Sequence, residues 1–150
     1  MRQFLKACAL TVFAGAMAVS CDSYKDDTPD SAFVEQNKNL DGVWQLQSVK
    51  RNGIDITSSM DFSRFRLHLD ASGEYSLENR LPFPVSHDGR WIVDDPAHPF
   101  MLSFTEYDDD DYTASVGIQY PIVEGRRQLS ITHSPGCHSN KYEYVFVKVE

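Results

Sequence analysis

From Val43 onward apolar residues recur at every second position, broken by turn residues about every eight to twelve positions. That alternation gives each segment one oily and one wet face, the pattern of antiparallel strands, and no later stretch sustains a helical period. Trp44, Leu46 and Ser48 alternate with Gln45 and Gln47, and Asn52-Gly53 predicts a tight hairpin into Ile54 and Ile56. Phe65, Leu67 and Leu69 alternate with Arg64, Arg66 and His68; after the turn Asp70-Ala71-Ser72-Gly73, Tyr75 and Leu77 return. Leu81-Pro82-Phe83-Pro84 lacks two N–H donors and reads as a loop or an edge. Further strands are expected at Gly89 to Asp94, with Trp91 and Val93 inward, and at Phe100 to Thr105. Thr113 to Val123 follows, with Ala114, Val116, Ile118 and Tyr120 on one side, then Leu129 to His133 and Tyr142 to Val149.

Eight or nine sequential strands without an internal repeat invite closure into an up-and-down antiparallel barrel, because closure removes the edges at which sheets aggregate. A β-sandwich is the competing all-β arrangement. Trp44, Tyr75, Trp91, Phe100 and Phe104 fall at strand spacing and are expected mainly in the core.

The chain before this region is of a different kind. Arg2 and Lys6 precede an uncharged run from Ala7 to Val19 that ends in Ala18-Val19-Ser20-Cys21, the layout of a secretory leader. The run is too short for a membrane-spanning helix, which needs about 20 apolar residues. Small residues directly before a cysteine resemble the lipobox of bacterial lipoproteins. The resemblance implies cleavage after residue 20, acylation of Cys21 and attachment to the membrane through its acyl chains. Asp22 to Asn39 is polar and acidic, a tether of at most about 60 Å when extended. Within it Thr28-Pro29-Asp30 has the marks of a helix start, so a short helix is expected over Pro29 to Lys38. The expected organisation is therefore a leader over 1–20, a lipidated Cys21 and tether over 21–39, and a β-domain over 40–150. Lys25-Asp26-Asp27 resembles the acidic export signal of Bacteroidota lipoproteins, which implies a place on the outer membrane, exposed at the cell surface. Asp22 directly after the cysteine follows the opposite rule of enteric bacteria, inner-membrane retention.

Composition narrows the function classes. The 150 residues are 41% hydrophobic with a net charge of −8, and loss of Arg2 and Lys6 with the leader makes the remainder more acidic. Such a charge repels the phosphates of nucleic acid, so no nucleic-acid partner is expected. Of the three cysteines, Cys8 would leave with the leader and Cys21 would carry lipid, so Cys137 has no intramolecular disulfide partner. The core must then be held by burial alone, with Cys137 read as a buried small hydrophobe in preference to a free or intermolecularly bonded thiol.

Leu40-Asp41-Gly42-Val43-Trp44 is similar to the Gly-x-Trp opening strand of lipocalins. Asn52-Gly53-Ile54-Asp55-Ile56-Thr57, Gly73-Glu74-Tyr75 and Gly89-Arg90-Trp91 resemble the lipocalin-like lipoproteins of Bacteroidota. The resemblance spans residues 40 to 150 and implies a barrel in which Trp44 packs at the closed end against a basic residue of a late strand, Arg126, Arg127 or Lys148. The second lipocalin motif has an incomplete echo at Thr105-Glu106-Tyr107, with Tyr112 further along.

Candidate chemistry is sparse. His133, Cys137 and His138 offer three soft ligands at a turn, but no fourth lies nearby and the spacing matches no metal motif, so neither metal nor cofactor is expected. Asp108 to Asp111 lacks the alternation and glycine of a calcium loop and reads as a solvated tip. Gly42, Gly53, Gly73 and Gly89 read as single turn glycines and form no phosphate loop. No nucleophile-and-base arrangement is legible, so the domain is expected not to be an enzyme. Two functions stay open: a barrel that binds a small, largely apolar ligand, and a solid barrel serving as an interaction module through exposed aromatics such as Phe83, Tyr107 and Tyr112. Thr57 to Ser63 and Leu81 to His87 are the expected mouth.

Overall fold

The computed structural model describes residues 35–109, 112–136 and 138–149. The leader, Cys21, most of the tether and Cys137 lie outside them. So does the expected helix up to residue 34, and residues 35–38 are not helical. No helix among the described residues is long and apolar enough to cross a membrane.

The strands are β1 (Gly42–Arg51), β2 (Ile54–Asp55), β3 (Arg66–Leu69), β4 (Glu74–Glu78) and β5 (Gly89–Val93). They continue with β6 (Met101–Glu106), β7 (Thr113–Gln119), β8 (Ile122–Val123), β9 (Arg126–His133) and β10 (Tyr142–Lys148). Neighbours pair antiparallel in the order β1-β3-β4-β5-β6-β7-β9-β10, and β10 returns to β1 with Trp44 opposite Lys148. The sheet is thus a closed, eight-stranded up-and-down barrel, and the sandwich is excluded. The short β2 and β8 are additions to β1 and β9.

Local sequence explains most boundaries. Asn52 and Gly53 both take positive φ (52° and 80°), as a two-residue hairpin turn requires, and Glu124-Gly125 repeats the device between β8 and β9. The expected single strand from Thr113 to Val123 is interrupted at Tyr120-Pro121, where proline has no N–H for the ladder. In β1 a bulge between Leu46 and Ser48 shifts the inward phase, so that Val49 is buried in place of the expected Ser48. Phe100 is 69% exposed because it precedes β6, correcting its expected core position. Trp91 and Val93 are half-buried.

The interior is filled by large side chains. Trp44, Phe65, Phe104 and Phe146 are all shielded from solvent, with Leu67, Leu102, Leu129 and Ile131 between them. One end is sealed by the entry segment: the Trp44 indole N–H donates to the Leu40 carbonyl at 2.8 Å, and Lys148 Nζ stands 5.8 Å from the Trp44 ring centroid. Lys148, and neither Arg126 nor Arg127, is the basic residue of a late strand set against this tryptophan.

Candidate functional site

The opposite end is built from loops. The connection from β1 to β3 carries two short 3-10 turns, Thr57–Ser59 and Phe62–Arg64, and meets the β4–β5 connection where Asn79 Nδ2 donates to the Arg64 carbonyl at 2.9 Å. The two segments expected at the mouth therefore share one end. The β4–β5 ladder has only two residue pairs, Glu74 with Arg90 and Tyr75 with Gly89. Beyond them the Leu77 N–H turns to the Asp88 carboxylate at 2.9 Å, and the segment from Asn79 to Asp88 crosses the mouth.

Phe83 projects from that segment into the barrel. Its ring centroid lies 5.3 Å from that of Phe65, 5.4 Å from Tyr144, 5.9 Å from Phe104 and 6.1 Å from Phe146, in tilted and edge-on contacts. This corrects the expectation of Phe83 as an exposed interaction residue: it is half-buried, whereas Phe65, Phe104 and Phe146 are buried outright. Tyr107 and Tyr112 are exposed, with hydroxyls donating to Glu74 Oε1 at 2.8 Å and to the Pro84 carbonyl at 3.1 Å.

Side chains of the barrel hold this segment. The Tyr144 hydroxyl donates to the Pro82 carbonyl at 3.1 Å, and burial raises its pKa to about 12. Glu106, only 8% exposed, is the buried charged residue among those described. Its carboxylate accepts from Ser86 N at 2.6 Å and His87 N at 3.3 Å and meets His87 Nδ1 at 3.0 Å. Burial alone would push this carboxyl up, but those bonds and the imidazole outweigh it and leave the pKa below the ordinary value. Tyr75 lies on the inward face of β4, edge-on to Phe104 at 4.9 Å and only 3% exposed. Its buried hydroxyl has no hydrogen-bond partner; burial and then the charges of Glu106 and Asp88 raise its pKa.

Glu106 and Tyr75 were missed as site residues by sequence reasoning. A signal for Glu106 existed, since it continues the inward parity of Leu102 and Phe104. No local signal marks Phe83, whose place depends on where a loop folds back.

Of the remaining sequence candidates, Cys137 lies outside the described residues. His133 is half-buried with its pKa lowered by desolvation, His138 is exposed, and no group of three potential ligands among the described residues could hold a metal ion. Asp108 and Asp109 are exposed. Gly42 and Trp44 open β1 at the sealed end. Gly89 is a strand glycine, not a turn glycine. An added Cβ there would stand 2.0 Å from the Thr105 carbonyl oxygen. A groove of about 680 Å³ lies along β1, β3 and β4, lined in part by Val43, His68, Glu74 and Ser76.

A family model described as a domain of unknown function (DUF5004) matches residues 20–147. The chain belongs to the DUF5004 family. No curated protein and no solved structure matches it. What this DUF5004 barrel offers chemically is an apolar, ring-lined mouth with two polar groups beneath it, the engaged Glu106 carboxylate and the unengaged Tyr75 hydroxyl.

Proposed function

We propose that this DUF5004 protein is a non-catalytic, envelope-anchored binding protein: acyl chains on Cys21 hold it on the outer membrane, exposed at the surface, and its lipocalin-like barrel takes a small, largely apolar ligand at the loop-built end. The supporting observation is the inequality of the two ends. Trp44, Leu40 and Lys148 close one with an ordered seal, whereas the other is stopped by half-buried Phe83 on a segment held by side chains. The aromatic lining favours an apolar ligand because ring faces supply area without demanding hydrogen bonds. The lipobox and acidic tether favour the anchored, surface-exposed placement, and Bacteroidota lipoproteins are the group whose signals these resemble.

A second reading is an accessory interaction module, favoured by the filled interior and the groove along β1, β3 and β4. Native mass spectrometry of the full chain purified from its own host separates the two. A reproducible adduct of a few hundred daltons, released on denaturation, is the expected result. A clean apo mass overturns the carrier reading in favour of the module.

A further inference from the structure

The cage around Phe83 carries one step more, which rests on the ligand-carrying reading. Phe83 is flanked by Pro82 and Pro84, neither of which has an N–H to give to a ladder. Its segment is held by the hydroxyls of Tyr144 and Tyr112, by the Glu106 carboxylate and by Val85, whose side chain is buried in the core, so outward movement also withdraws Val85. Moving it outward breaks these side-chain bonds and leaves the barrel ladders intact, because the β4–β5 pairing already ends at Tyr75 and Gly89.

Tyr75 supplies an independent observation. It lies one ring beyond Phe83, against Phe104, with its hydroxyl buried and unpaired. A core built for stability alone would carry phenylalanine there, since an unpaired buried hydroxyl loses its hydration and gains nothing in return. Both features have one explanation. We propose that Phe83 is an internal stand-in for the ligand, occupying a site for a flat ring, and that a planar, largely apolar molecule bearing one hydrogen-bonding group displaces it and pairs with the Tyr75 hydroxyl. Displacement swings the Leu81–His87 segment off the mouth, while Asp88 stays bonded to the Tyr107 and Leu77 N–H groups.

The test uses the full-length protein with phenol and, as the matched ring without a hydroxyl, toluene. Binding is read from the NMR signals of Tyr75, Phe104, Tyr144 and the 81–87 amides, which report the site even where a probe also enters detergent. Saturable phenol-induced shifts in the wild type, at least tenfold tighter phenol binding by Phe83→Ala, and loss of the preference for phenol over toluene when Tyr75→Phe is added are the expected results. Phe83→Leu, a smaller change, serves if the alanine variant does not fold. Folded Phe83 variants that bind phenol no tighter than wild type overturn the stand-in role. An unchanged preference after Tyr75→Phe overturns the pairing and leaves that hydroxyl to buried solvent. A host-derived adduct together with an inert Phe83 site leaves the carrier reading standing and overturns this one; a clean apo mass together with an inert site overturns both.

Discussion

Glu106 and His87 face each other beneath the mouth, Oε2 to Nδ1 at 3.0 Å, while Oε1 of the same carboxylate accepts the backbone N–H groups of Ser86 and His87. One buried charge thus orders two successive residues of a segment that has no ladder of its own. Glu106→Ala leaves both N–H groups without this partner, and a lost bond of this kind to a charged group costs about 2 kcal/mol. The expected outcome is roughly 30-fold faster hydrogen exchange at the Ser86 and His87 amides, with little change in the ladder of β9 and β10. Equal acceleration in both places would show that Glu106 supports the whole barrel.

The same carboxylate sets an acid limit. Its folded pKa is below the unfolded one, so its contribution is complete above about pH 4.3, the ordinary glutamate value, and is lost as pH falls through the lower folded value. Acid should therefore loosen the 80–88 segment below about pH 4, and between pH 5 and 8 this group should contribute no pH dependence. Amide shifts of Ser86 followed through an acid titration check both statements. A Glu106→Gln variant should lose the acid step.

At the sealed end, Trp44→Phe removes the donor to the Leu40 carbonyl and leaves unfilled volume in a site closed to solvent. A loss of about 2–4 kcal/mol is expected in urea unfolding. Lys148→Met removes only the cation over the ring, worth about 0.5–1 kcal/mol where partly exposed. The reverse order of effects would mean that the seal depends on charge.

Gly89→Ala and Gly53→Ala separate two roles of glycine. At Gly89 the new methyl meets the Thr105 carbonyl oxygen of β6, a backbone atom that can yield only by parting the strands, and about 3 kcal/mol or more is expected. At Gly53 nothing stands within 4 Å, and only the positive φ of 80° opposes the methyl, at about 1–2 kcal/mol. Thermal unfolding of the two variants checks the order.

Much of the wall was legible because strand faces are a local property. Phe65, Leu67 and Leu69, Tyr75 and Leu77, and Ala114, Val116 and Ile118 point inward as their alternation requires, and Asn52-Gly53 turns the chain as its dihedral freedom predicts. The bulge in β1 escaped notice because one extra residue changes the phase without changing composition. The site was mostly illegible: the proline segment could be read as non-strand, but not that it returns to place Phe83 among Phe65, Phe104, Tyr144 and Phe146.

From sequence alone came the all-β class, the turn positions and the expectation of a lipidated leader. Each rests on interactions spanning a few residues, or on composition. Tertiary structure alone decided that β10 closes onto β1, that Lys148 is the cation over Trp44, that Glu106 is buried beneath the mouth, and that Tyr75 has an unpaired hydroxyl. Those outcomes depend on strand tilt and stagger summed around the whole barrel, which bring together residues about a hundred positions apart and which no local period encodes.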